Sequence, residues 1–98
     1  MAKTIKSPAI DKMFDAVLSL ENREECYQFF EDLCTINELL SLSQRYEVAS
    51  MLDAKKTYSE IQEQTGASTA TIGRVNRALS YGNDGYALVL ERMKQHND

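Results

Sequence analysis

Apolar side chains recur along this chain at intervals of three, four and seven positions, the period of a helix that turns one face to a core. Ile10, Met13, Phe14, Val17 and Leu18 form the first such stripe; Cys26, Phe29, Phe30 and Leu33 form a second, which Tyr27 widens. Leu39, Leu40, Leu42, Tyr46, Val48, Ala49, Met51 and Leu52 lie on a longer segment. Ile72, Val75 and Leu79, then Tyr86, Leu88, Val89, Leu90 and Met93, complete the series. Strand-like alternation is scarce and the chain has only one Pro and four Gly, so the pattern predicts an all-α protein of about six helices.

Residues able to satisfy free backbone amides mark the ends of these helices. Ser7 ahead of Pro8 predicts a first helix that stops near Leu20. Asn22, followed by Glu24 and Glu25 where the helix dipole favours carboxylates, opens a second. Thr35 and Glu38 have capping-box spacing and predict a third from Ile36 to about Ala54. Gly82 is the expected left-handed stop of the fifth helix, Asn83 or Asp84 the cap of a sixth over 83–95, and the tail from Gln95 is expected to fray.

The stretch 57–79, TYSEIQEQTGASTATIGRVNRAL, organises the rest. Thr57 and Glu60 make a second capping box, so a short fourth helix starts at Tyr58 with Ile61 pointing inward. Gly66 ends it by adopting the left-handed conformation that a Cβ disfavours. Ser68 then caps a fifth helix from about Thr69 to Ser80, with Ile72, Val75 and Leu79 on its inner stripe. Two short helices with this spacing of Ile61, Gly66, Ala67, Ile72 and Val75 read as a helix-turn-helix, although a helical hairpin used only for packing has the same periodicity. Thr69, Ala70 and Gly73 are slim enough to approach base edges in a major groove, and Arg74 and Arg77 supply cations behind them.

Charge sharpens this picture. The net charge of −4 by itself argues against a nucleic-acid partner. It is unevenly spread: residues 1–53 carry five basic and ten acidic side chains, whereas 54–82 carry four basic and two acidic. The net-positive stretch is the helix-turn-helix itself. Lys55 and Lys56 stand where they can compensate the dipole of the third helix or touch a DNA backbone, and the sequence leaves both open.

Composition narrows the remaining choices. Ninety-eight residues suit a single domain burying roughly two-thirds of its unfolded surface. Cys26 and Cys34 have no His or Cys at metal spacing and are expected as reduced, partly buried thiols. No nucleophile–base cluster or phosphate loop is visible, so neither an enzyme nor a cofactor is expected. The absence of an apolar run of roughly 20 residues, and of an apolar signal core in MAKTIKSP, makes a cytoplasmic location the expectation. The first three helices offer more apolar surface than two short reading helices can cover, which favours a homodimer, although a six-helix monomer would also need a full core.

The string TYSEIQEQTGASTATIGRVNRAL, preceded by QRYEVASMLDAKK and followed by SYGNDGYALVLERM, resembles the tryptophan repressor superfamily, and within it the YerC/YecD branch of Gram-positive bacteria. The likeness runs along nearly the whole chain and is strongest over 45–93. It implies an intertwined, six-helix homodimer: 1–54 form dimerisation helices, 57–80 read DNA and 83–95 form an accessory helix. The resemblance carries base contacts onto Ser59, Gln62, Thr69, Ala70 and Gly73, with phosphate contacts near Tyr58 and Thr71; Arg77 joins them by its charge.

The family's corepressor pocket transfers less completely. Arg74 matches one ligand-sandwiching arginine, and the other falls on Gln44 or Arg45. Ala78 replaces a serine that holds the ligand ammonium, Val75 replaces a glycine beside the indole, and Thr71 with Arg74 makes up the partial pocket that is left. A valine occupies volume the indole needs, so Val75 is expected to fill the gap and set the reading helices without tryptophan. The expected function is a homodimeric transcriptional regulator, a repressor by family resemblance, acting on a near-palindromic operator in double-stranded DNA. The alternatives are an interaction or scaffold module that has lost DNA binding, and a repressor that answers a small molecule through the remnant pocket.

Overall fold

A computed structural model describes residues 5–96. The described residues form six α-helices and no strand: α1 Pro8–Leu18, α2 Arg23–Leu33, α3 Ile36–Asp53, α4 Tyr58–Thr65, α5 Thr69–Tyr81 and α6 Gly85–His96. The caps act as their chemistry requires. The Ser7 hydroxyl accepts from the Ile10 amide, and Asn22 accepts from Glu25. Thr35 with Glu38 and Thr57 with Glu60 each exchange both capping-box hydrogen bonds.

The boundaries depart from expectation in informative places. The first helix stops at Leu18, two residues early, where Ser19 and Leu20 turn their amides back to the Ala16 and Val17 carbonyls. Gly82 is not left-handed: its φ is −84° and its ψ −146°, and the positive φ of this turn falls on Asp84 at 64°. Glycine is needed at 82 for a different reason, because a Cβ there would collide with the Ala78 carbonyl. The last helix continues through Gln95 and His96, while 97–98 and the initial 1–4 lie outside the described residues.

The chain divides into two compact units, one up to Leu40 and one from Ser41 onward. In the first, α1 and α2 bury no residue, and Phe14, Leu18, Tyr27 and Leu33 are exposed; Leu18 is 81% accessible. Phe29 and Phe30 meet edge to face, ring centres 5.6 Å apart. Cys34 is half-buried as expected, but Cys26 is exposed; both are free thiols.

The second unit holds the core. Val48, Ala49 and Met51 of α3 pack with Ile61 of α4, Ala67 of the turn, and Ile72 and Val75 of α5, with Leu52 and Tyr86 against the cluster. Val48, Ala49, Ile61 and Ile72 are inaccessible to solvent. Lys94 of α6 pairs with Asp53 at the end of α3 at 2.9 Å. Both ends of that pair are substantially exposed, so it contributes little beyond orientation.

Removing Ile61 as Ile61→Ala should lower stability by about 2–5 kcal/mol, and Thr57→Ala by about 1 kcal/mol, in denaturant unfolding. Hydrogen bonds from the backbone amides of Thr57 and Thr35 hold the Glu60 and Glu38 carboxyls below the ordinary 4.5. A depressed folded-state value means this stabilisation is complete above the ordinary value and is lost as pH falls through it toward the folded value. Acid unfolding of Glu60→Gln should therefore depend less steeply on pH in that window than that of the natural chain.

Candidate nucleic-acid interface

Thr65, the last residue of α4, builds the turn. Its hydroxyl donates to the Ile61 carbonyl at 2.8 Å and accepts from the Ala67 amide at 3.1 Å. Gly66 follows with φ 74°, and its amide closes α4 on the Gln62 carbonyl. Ser68 then starts α5 by accepting from the Thr71 amide at 3.1 Å. The turn is anchored from outside as well: Gln44 of α3 donates through Nε2 to the Thr65 carbonyl at 3.1 Å, across 21 positions of sequence. That bond satisfies a carbonyl at the end of α4 that the helix cannot pair itself.

With Ile61, Ala67, Ile72 and Val75 turned into the core, the opposite sides of α4 and α5 are fixed by helix geometry. At about 100° per residue, Thr69, Ala70, Gly73, Arg74 and Arg77 fall within an arc of about 140° centred opposite Ile72 and Val75. Thr69, Ala70, Arg74 and Arg77 are exposed and Gly73 is half-buried. On α4, Ser59 and Gln62 are exposed and Tyr58 is 39% accessible. Thr71 is half-buried, and its hydroxyl accepts from that of Ser68, so it serves the cap of α5. Neither Arg74 nor Arg77 is paired with a carboxylate among the described residues.

Gly73 differs from the other helical positions on this face. A Cβ added there meets only the tip of Arg77 at 3.9 Å, an ordinary contact. The fold therefore has room for an alanine, although glycine inside a helix is less stable than alanine by about 1 kcal/mol.

Of the residues matched to a corepressor pocket, Thr71, Arg74, Val75 and Ala78 recur at helical spacing along α5, and Gln44 and Arg45 lie on α3. Val75 is 2% accessible within the core, Arg74 and Ala78 are exposed, Gln44 is engaged with Thr65, and Arg45 extends along its own helix to the Ser41 hydroxyl at 3.4 Å. An open concavity of about 580 Å³ lies against α3, α5 and α6, lined by Tyr46, Ala78, Gly82, Asn83, Tyr86 and Val89 among others; of the matched residues only Ala78 reaches it. No group of three or more metal-ligating side chains occurs among the described residues. No described helix is long and apolar enough to cross a membrane.

Sequence reasoning passed over Thr65 and the tethering role of Gln44. A threonine directly before the helix-stopping glycine was a local signal for the first, since its hydroxyl can reach the carbonyl four residues back. Nothing local marks the second, which exists only once α3 lies beside α4.

Comparison with known proteins agrees with this architecture. The profile of the Trp repressor protein family matches residues 8–94. The uncharacterised protein YerC of Bacillus subtilis (strain 168) is 55% identical over 91 residues, covering 93% of this chain and 88% of its own. A crystal structure of a TrpR-like protein from Eubacterium eligens superposes with a TM-score of 0.90 at 61% identity, covering 92% of this chain and 93% of that one. A Staphylococcus aureus chain solved as a candidate Trp repressor gives 0.89 at 58% identity, with 92% and 90% covered. With its six-helix order, its turn built on Thr65 and Gly66, and these matches along nearly its whole length, the chain belongs to the Trp repressor family.

Proposed function

We propose that this protein is a DNA-binding transcriptional regulator, a repressor working as a homodimer on a near-palindromic operator, with α4 and α5 as its reading helices. The observation that carries this reading is the outer face of α5: small at Thr69, Ala70 and Gly73, basic and without a carboxylate partner among the described residues at Arg74 and Arg77, and backed by an apolar core. Gly73 weighs most, because the fold does not need it and a close-approaching surface does. Gln62 suits bidentate recognition of adenine, and Ser59 a weaker contact. Tyr58, Thr71 and Arg77 are the phosphate-side residues of this interface. Membership of a regulator family and the lack of catalytic machinery in the sequence speak against an enzyme. The cell interior, where such regulators find DNA, is the matching location.

Dimerisation is supported by the first unit. Its helices leave Phe14, Leu18, Tyr27 and Leu33 exposed, an apolar display that a second copy of the chain would cover. Tryptophan independence is supported by Val75, whose side chain already sits in the core, and by Gln44, whose side-chain amide joins the end of α4 to α3. The net charge of −4 favours one other reading, a dimeric interaction module without DNA affinity.

Selection from a random DNA pool, with and without L-tryptophan, should recover one palindrome under both conditions; no enrichment would favour the interaction module. Calorimetric titration with L-tryptophan should show no micromolar binding, and such binding would refute tryptophan independence. Gly73→Ala should raise stability by about 1 kcal/mol while weakening operator binding. Arg77→Ala should weaken binding to all duplexes alike, whereas Gln62→Ala should cost about 1–3 kcal/mol of discrimination at one base pair, both read by titration against operator and mismatched duplexes.

A further inference from the structure

We infer that Lys55, at the turn between α3 and α4, is an additional DNA-backbone contact whose ammonium reaches a phosphate beside the surface formed by α4 and α5. The inference rests on the DNA-binding reading above and adds a contact outside the two reading helices.

Its starting point is the backbone. α3 closes with two crossed hydrogen bonds, Lys55 N–H to the Leu52 carbonyl and Lys56 N–H to the Met51 carbonyl, both 3.0 Å. This geometry requires a left-handed residue, and Lys55 supplies it with φ 66°. Glycine is the residue that takes this conformation without strain, and the same chain uses Gly66 for it at the end of α4. Asp84 is the other non-glycine residue at positive φ among the described residues, and aspartate tolerates that region through its short polar side chain. A lysine has no such accommodation, so at this turn the side chain is kept against a backbone preference.

Helix-end electrostatics do not account for it. Lys56, one residue on, already brings a cation to the carbonyl end of α3 with an ordinary backbone, and its field also helps to keep the neighbouring Glu60 carboxylate ionised. Lys55 is exposed and makes no ion pair among the described residues. It stands three Cα steps before Tyr58, hence no more than about 11 Å from the first residue of α4. A flexible ammonium arm at that distance from a groove-facing helix has the chemistry of a phosphate contact, indifferent to base sequence. It also lies in the stretch 54–82, whose four basic and two acidic residues make it net positive.

The test compares the natural full-length chain with Lys55→Gly and Lys55→Arg, measuring thermal unfolding and DNA affinity over a range of salt. The duplexes are the one recovered by selection and a mixed-sequence duplex. Lys55→Gly should melt at a higher temperature, because the strained turn is relieved, yet bind both duplexes several-fold more weakly. Its slope of log K against log salt should be shallower by about 0.9 per subunit, the signature of one lost phosphate contact. Lys55→Arg should restore affinity and slope. A Lys55→Gly variant with unchanged affinity and slope would overturn the proposal and leave Lys55 a turn residue alone. Absence of salt-dependent DNA binding by the natural chain would instead overturn the DNA-binding reading, and this proposal with it.

Discussion

The burial of Ile61, Ile72 and Val75 against Val48, Ala49 and Met51 is the interaction on which the second unit depends. Two helices as short as α4 and α5 are marginal by themselves in water, since nucleation costs more than a few helical hydrogen bonds return. Packing them on one long helix supplies the missing stability and fixes the rotation of each about its axis. Once Ile72 and Val75 point inward, Thr69, Gly73 and Arg77 must point outward. The apolar contacts thus set the proposed recognition surface without including any residue of it.

The polar groups refine what the core sets. Thr65 ties the turn together through its own hydroxyl, and Gln44 ties the end of α4 to α3. A hydrogen bond to a half-buried helix-end carbonyl matters most for the penalty incurred when that carbonyl is left unpaired. Here it also joins the end of α4 to α3 across 21 positions of sequence. Val75 fills volume inside the core.

The first unit poses the opposite problem. Its caps are fully formed, yet no residue of α1 or α2 is buried. Capping and propensity settle where those helices begin, but they provide only about a kilocalorie each and do not substitute for a core. In the proposed homodimer the exposed Phe14, Leu18 and Tyr27 find their packing partners in a second chain, so folding and assembly become a single event.

Much of this was legible from the order of residues, because helix signals are local. The capping boxes at Thr35 and Thr57, the stop at Gly66, and the inward stripe of Ile61, Ile72 and Val75 depend on neighbours within one or two turns, and all appear where the spacing puts them. Of the candidate interface, Thr69, Ala70 and the arginines were readable as the face left over by that stripe. Other features were decided only by tertiary structure. Gly82 avoids a collision with the Ala78 carbonyl instead of taking a left-handed turn, and Lys55 occupies the left-handed position in a place no glycine marks. Gln44 meets Thr65, and Lys94 meets Asp53, only because the helices that carry them lie side by side. Short-range hydrogen bonding and hydrophobic period are written into consecutive residues, whereas a long-range contact depends on how whole helices pack, and no stretch of sequence carries that alone.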